Sequence, residues 1–406
     1  MNLDDPKGII ELGDLSVSCL IYRIKDNNIE ILSTYTTPCE GIHNDVVTNV
    51  KKATSAIRSC ISSAEKIAKI SLKKINVIFE QPDFLCTKFT KQKKIDGAKI
   101  QRDDIEFMII EGKKELNHND KNQYLIHIFN HNYVVDNKIF IEEPIGIYAD
   151  SLSHEITFIT TLKNNIKNIN QILNSCDLGI ERFISRTFAQ GAEFFNDKDL
   201  ESGSILINLG FESTSLGVFK NLALINSITL PIGINHITKD ISKVCSLDLK
   251  ESELIRNEID FSFQKNENLF NKSGYLKESY FINSNYRKIS EKLILGVVKA
   301  RIDEIFNSLK KQLKLSEINL SLGIPFLLLG MGSHLYNLEV YSSSFFDLNC
   351  YKINKNKKKN MLDVKFSSFS GAIKIIKNGW ETEAIPVEKG SNIEKKGFFA
   401  KIFGNS

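Results

Sequence analysis

"SILINLGFESTSLGVF", Ser204 to Phe219, reads as two apolar strands joined by a short polar turn. That is the outline of a phosphate-gripping hairpin. In such a hairpin glycines let backbone N–H groups close on an anion, and an acid at the strand end holds a hydrated metal. Here one glycine, Gly210, remains in the turn, and Asn208 stands where the acid is expected. A third strand, "LALINSITLPIG", and a helix, "NHITKDISKVC", follow. The same strand-turn-strand-turn-strand-helix order opens the chain. "KGIIEL" turns at Gly13-Asp14 into "SVSCLIYRI", which turns at Asp26-Asn27-Asn28 into "IEILSTYT". Val46, Val47, Val50, Ala53, Ile57, Ile61, Ala64 and Ile67 then recur at helical steps, with Asn44 or Asp45 as N-cap. A repeated pattern without close identity predicts two halves of like fold, with a cleft that each half's first turn faces.

The bulk composition agrees with such a chain. Its 406 residues predict two or more domains. At 42% hydrophobic and 25% charged it has an ordinary globular composition. A net charge of +4 is small for the length and gives no strong case for nucleic acid, local basic patches aside. Seven cysteines, an odd count without a CxxC pair, read as reduced thiols in a cytoplasmic protein, neither a disulfide framework nor a zinc site. "MNLDDPKGII" lacks an apolar core, so no signal peptide is expected. The longest apolar run, "LGIPFLLLG", is strand-sized.

Between the two repeats the pattern changes. "QYLIHIF" and "HEITFITTL" read as strands beside a charged helix, "RDDIEFMIIEGKKEL", which together make a small α+β insertion. "FISRTFAQGAEFF" is expected to be helical. From Lys377 the composition becomes that of a linker. It ends in "KKGFFAKIFGNS", where Phe398, Phe399, Ile402 and Phe403 share one helical face and Lys395, Lys396 and Lys401 add positive charge. This suits an interfacial helix on an anionic leaflet; otherwise the segment docks on the protein's own core or stays unfolded.

The order of these pieces resembles FtsA, the actin-like bacterial cell-division protein that tethers tubulin-like FtsZ to the membrane. "ELGDLSVSCLIY" and "LINLGFESTSLGVF" look like its two phosphate loops. "LPIGINHITKDIS" is the most specific match, close to P-x-G-G-x-x-x-T-x-D-I. "SELIRNEI", "VKARIDEIF", "LLLGMGSHL" and "EEPIGIYADSLSHEITFIT" resemble further family motifs in register. The resemblance implies an α/β, actin/Hsp70/hexokinase-like two-lobed fold with a duplicated βββαβα core, an inserted α+β subdomain and a C-terminal amphipathic helix. Lobe 1 would comprise 1–79, 164–197 and a closing helix at 367–380, with the insert at 80–163. Lobe 2 would comprise 198–245, a small subdomain at 246–299, and 300–366. A linker at 381–394 would lead to the amphipathic helix at 395–406.

The resemblance also implies ATP and magnesium as ligands. In the first loop Glu11 stands where the family has Asp, followed by Gly13, Asp14 and Ser16. In the second, Asn208, Gly210, Ser213 and Thr214 are candidates; Phe211 and Glu212 replace glycines. Glu11 and Asn208 would face the metal. Glu253 and Arg256, one helical turn apart, would flank the nucleoside, or form an ordinary surface pair. Gly330 and Gly332, with Ser333 starting a helix, would approach the base or ribose, or make a plain strand-to-helix turn. Each hairpin either grips phosphate or serves only as core. The divergent loops lead us to expect no efficient catalysis. His118, His127 and His131 are read as structural, and the basic run Lys352 to Asn360 as a solvated loop, with anionic lipid as the lesser option.

The expected function is therefore a cell-division adaptor, peripheral on the cytoplasmic face of the inner membrane at the division site. It would polymerise with itself, hold the FtsZ tail around Glu251–Glu304, bind anionic lipid and meet downstream division proteins. The alternatives are an ATPase or kinase of the same fold, or an actin-like pilus-assembly adaptor.

Overall fold

The structure is a computed structural model that describes residues 5–26, 28–140, 143–263, 266–315, 323–353 and 366–378. The described chain falls into two compact units. One holds 5–204, 217–228 and 366–378, and the other holds 205–216 and 229–353.

The first unit opens with β1 (Lys7–Glu11), β2 (Ser16–Lys25) and β3 (Asn28–Pro38). Two-residue strands β4 (Ile42–His43) and β5 (Val46–Val47) come before helix α1 (Val50–Ala68). Next come β6 (Lys74–Phe79), β7 (Leu85–Lys94), α2 (Arg102–Asn119), β8 (Gln123–Val135), β9 (Lys138–Phe140) and β10 (Ser151–Leu162). Helix α3 (Lys163–Asn174), β11 (Gly179–Ser185), α4 (Arg186–Phe194) and α5 (Asp197–Ser202) complete this stretch.

The main sheet of this unit has the order β11-β6-β1-β2-β3. β1 to β3 form an antiparallel meander, and β6 and β11 add in parallel, with Ile10 opposite both Cys19 and Val77. Ile9, Ile10, Leu20, Ile21, Val77 and Ile78 are fully buried. The parallel strands are near-continuous apolar runs because both faces are covered.

Helix α1 buries Ala53, Ile57, Cys60, Ile61 and Ala64 at steps of three and four. It starts later than its apolar pattern suggests. Asn49 is the N-cap, its Oδ1 accepting from the Lys52 amide at 3.0 Å. Asn44 and Asp45, the expected caps, both take positive φ (49° and 55°) and form the β4–β5 turn instead. Asn and Asp tolerate this conformation better than other non-glycine residues, so a cap signal and a turn signal look alike in sequence. "FISRTFAQGAEFF" likewise divides: Phe183–Ser185 end strand β11, and the Ser185 hydroxyl caps α4 by accepting from the Phe188 amide at 3.2 Å.

The insertion is a separate four-stranded sheet, β7-β10-β8-β9, with α2 packed on it. Phe89, Ile105, Met108, Ile109, Ile128, Ile156 and Phe158 form its core. Burying each such side chain stabilises by about 1.5–3 kcal/mol.

The second sheet, β12 (Ser204–Leu209), β13 (Thr214–Lys220), β14 (Ala223–Leu230), β15 (Phe326–Leu329) and β16 (Cys350–Lys352), has the order β14-β13-β12-β15-β16. This matches the first sheet position for position: a three-strand run, then two parallel strands beside its first member. Helices α6 (Ile234–Cys245), α7 (Leu249–Glu258), α8 (Glu291–Leu315) and α9 (Leu338–Phe346) belong to the second unit. Helix α10 (Ser367–Asn378) belongs to the first, where it packs on α4. Helix α8 is continuous from 291 to 315, so the division expected at 299/300 falls inside one element.

Candidate functional site

In the first unit Glu11 ends β1, and the turn through Gly13 and Asp14 leads to Ser16 at the start of β2. A Cβ on Gly13 would meet the Ser16 carbonyl oxygen at 2.9 Å, so glycine permits the tight turn. Glu11 is already engaged on both oxygens. Arg186 Nε donates to Oε1 at 2.7 Å and Ser368 Oγ to Oε2 at 2.8 Å. Arg186 Nη2 also donates to the Leu12 carbonyl, and to Asp45 Oδ2 at 2.6 Å.

Asp45 in turn accepts from the Glu80 amide at 2.6 Å, and its carbonyl accepts from Gln81 Nε2 at 2.7 Å. Glu80 Oε2 accepts from the Ser185 hydroxyl at 2.8 Å and the Thr187 amide at 2.9 Å. Burial pushes Asp45 up to about 7, against the pull of Arg186, and also raises Glu80. Burial disfavours the charge on Arg186, but Asp45 and Glu11 more than offset it and keep the guanidinium protonated. Asp14 Oδ1 is buried with no hydrogen bond among the described residues.

In the second unit the hairpin turn is folded onto the start of α6. The Gly210 carbonyl accepts from the Ile234 amide at 3.0 Å and the Phe211 carbonyl from the Asn235 amide at 2.9 Å. These are N–H groups a helix start would otherwise offer to an anion. Gly210 N donates to the Ser213 carbonyl at 2.9 Å, and Thr214 Oγ1 to the Ile232 carbonyl at 2.6 Å. Glu212 is buried. Its Oε1 accepts from Asn235 Nδ2 at 2.6 Å and from Lys239 Nζ at 3.1 Å. Although burial raises its pKa, these donors leave it below the usual range.

Gly330 (φ 81°) follows β15, beside Asn208 on the paired strand β12. A Cβ there would lie 2.2 Å from Asn208 Oδ1, and one on Gly332 would lie 2.4 Å from the Leu209 side chain. Both glycines therefore allow the strand ends to pack. Ser333 does not start the helix. It sits in a 3₁₀ turn, Met331–His334, with its hydroxyl donating to the Gly330 carbonyl at 2.7 Å, and α9 begins at Leu338.

Two of the motifs converge on the third, which forms α6. Arg301 of "VKARIDEIF" forks onto Asp240, Nε to Oδ2 at 2.6 Å and Nη2 to Oδ1 at 3.1 Å. Arg256 of "SELIRNEI" is 2% exposed, and its Nη1 donates to Thr238 Oγ1 at 2.6 Å. Thus the Thr and Asp of "ITKDI" each hold an arginine from another helix. Glu253 is largely exposed and accepts from Arg256 Nη2 at 3.2 Å. Arg256 is therefore mainly a buried internal strut rather than half of a surface pair.

His127 is buried, and its Nε2 accepts from the Ser185 amide at 3.0 Å. The membrane-binding candidates Lys395, Lys396, Phe398, Phe399, Lys401, Ile402 and Phe403 lie outside the described residues. Among the described residues no helix is long and apolar enough to cross a membrane.

Residue order alone gives no site role to Arg186, Asp45, Glu80, Ser185, Ser368 or Asp240. Arg186, Asp45, Glu80, Ser185 and Ser368 sit in no recognisable local motif of phosphate binding, and the fold brings these five together in the first unit, whereas Asp240 is met by Arg301 in the second. The first loop does not fit a hydrated magnesium ion, because both Glu11 oxygens are taken by Arg186 and Ser368.

The paired sheet orders and the inserted sheet define a protein of the actin-like fold, and similarity to solved structures agrees. The PilM-PilN type IV pilus biogenesis complex matches with a TM-score of 0.61 at 13% identity, over 90% of this chain and 96% of that one. MreB5 of Spiroplasma citri bound to ADP matches at 0.52 and 11% identity, over 92% and 96%. Residues 85–160 match the model of the SHS2 domain inserted in FtsA. The cell division protein FtsA of Neisseria meningitidis serogroup B is 24% identical over 84% of this chain and 81% of its own. That of Bacillus subtilis is 20% identical over 77% and 71%. Among proteins compared by sequence, the chain is similar, at low identity, to FtsA.

Proposed function

We propose that this chain is a cell-division adaptor that assembles with itself and links the tail of FtsZ to the cytoplasmic membrane. The observation that carries this reading is the inserted sheet β7-β10-β8-β9 with α2, lying in the stretch that matches the FtsA insert. The arrangement of the rest of the first unit around a repeated five-stranded sheet supports it. Membrane attachment is assigned to Phe398, Phe399, Ile402 and Phe403 with Lys395, Lys396 and Lys401. One short helix binds weakly, and many copies along a polymer bind well. The FtsZ tail is assigned to the surface around Glu251–Glu304.

Nucleotide enters this reading as a ligand and not as a fuel. MreB5, of like fold, was solved with ADP and with AMPPNP. Here the carboxylate at Glu11 is committed to internal partners, which argues against the metal and water positioning that phosphoryl transfer needs. A kinase or ATPase is thus disfavoured, and the pilus-adaptor likeness extends to fold alone.

The test is co-sedimentation with vesicles containing anionic lipid, for the full chain and for a chain ending at Lys396. The full chain is expected to sediment and to carry FtsZ with it, and the truncated chain to stay in the supernatant. Equal sedimentation of both overturns the membrane assignment; sedimentation without FtsZ overturns the partner.

A further inference from the structure

We propose that Arg186 is the resident cation of the first loop: its guanidinium stands where a metal held through Glu11 would act, and it closes the loop without one. The guanidinium joins three separate pieces of chain. Nε meets Glu11 at the end of β1, and Nη2 meets both the Leu12 carbonyl in the turn and Asp45 between β4 and β5. Arg186 itself is the first residue of α4. From α10, Ser368 takes the remaining oxygen of Glu11.

The chemistry of the two cations differs. A hydrated magnesium ion needs oxygen ligands in near-octahedral array at about 2.0–2.1 Å, and it can leave. A guanidinium is planar, permanently charged and offers donors in a fixed fork that matches carboxylates. Because it is covalently part of the chain, no ion has to be recruited. A second cation would have to displace Arg186 from Glu11, leaving a mostly buried guanidinium with Asp45 as its one remaining carboxylate partner among the described residues, or sit beside it unshielded.

The proposal has a consequence in the reverse direction. Without the guanidinium, Glu11 loses its counter-charge, with Asp14 in the same turn and the Asp45 carboxyl group beside it. The loop is then expected to acquire the affinity for a divalent cation that the native protein lacks.

Manganese serves as probe in electron paramagnetic resonance titrations of the full chain, with thermal unfolding in EDTA or about 10 mM magnesium as a second readout. The native chain is expected to show no manganese binding that depends on Glu11, and a melting temperature indifferent to magnesium. Arg186→Met is expected to melt lower in EDTA and to recover with magnesium. It should bind manganese at least about tenfold more tightly than the native chain, and lose that gain when Glu11→Gln is added. Arg186→Lys keeps the charge and is expected to remain folded and indifferent to metal, so the idea stays testable should the Met variant not fold. Manganese binding by the native chain that Glu11→Gln abolishes overturns the proposal. So does an Arg186→Met protein with no response to either metal, or magnesium stabilisation of Arg186→Lys.

Discussion

Arg186 Nε lies 2.7 Å from Glu11 Oε1, across 175 residues of chain, and this pair closes the loop on which a metal would otherwise be held. Both side chains are mostly buried, at 14% and 16% exposed. Removing one partner strands the other's charge in a poorly solvated place. Glu11→Ala is expected to destabilise the protein by about 3 kcal/mol. Urea unfolding measures this, and an unchanged midpoint would show that the pair contributes nothing.

Glu251 provides a pH signature for the second unit. It is fully buried, and its Oε1 accepts from three successive amides, Ile282 and Asn283 at 2.6 Å and Ser284 at 2.8 Å. Burial alone would raise its pKa, but these donors and the Ser284 hydroxyl bring it down to about 2 from 4.5. The folded value is below the unfolded one, so the stabilisation is fully present above pH 4.5 and is lost as pH falls towards 2. Glu251→Gln should be less stable than the native protein at neutral pH. The gap between their unfolding free energies should shrink across that acidic window; a constant gap would contradict the account.

Gly330 tests whether the glycine loop is a packing device. Its φ of 81° and the 2.2 Å approach of a Cβ to Asn208 Oδ1 both oppose a side chain. Gly330→Ala is expected to cost about 1–3 kcal/mol, from strain and overpacking, with no ligand present. A variant as stable as the native chain in buffer alone would assign the glycine to ligand approach instead.

His127 ties the insert to the loop cluster. It lies on β8, its Nε2 takes the Ser185 amide, and its ring packs edge-on against Phe188 at 5.2 Å. His127→Phe keeps the aromatic bulk and leaves a buried N–H unpaired, which costs about 1–3 kcal/mol. Hydrogen exchange should rise at the Ser185 amide; native-like protection there would exclude the bond.

Several elements could be read directly from residue order. The alternation of apolar strands and polar turns from Lys7 and again from Ser204 was enough to recognise a duplicated core, because strand and helix periods are local properties. The insert and helix α6 were likewise visible, their buried positions Ile234, Ile237 and Ile241 falling at steps of three and four. Local signals misled where one residue type serves two uses. Asn44 and Asp45 carry a cap signal but make a turn, and "FISRTF" carries a helical pattern across a strand end.

The state of the loops was not legible in the same way. Glu11 looks like a metal-facing acid until Arg186 and Ser368 are brought to it, and Glu212 reads as an acid in place of a turn glycine until Asn235 and Lys239 enclose it. The motif Thr238-x-Asp240 reads only as a family match until Arg256 and Arg301 are seen to use it as an anchor. Residue order specifies which strands and helices form, since those depend on neighbours a few positions apart. Whether a charged side chain is a ligand or a strut depends on which distant side chain reaches it first, and only the packed chain decides that.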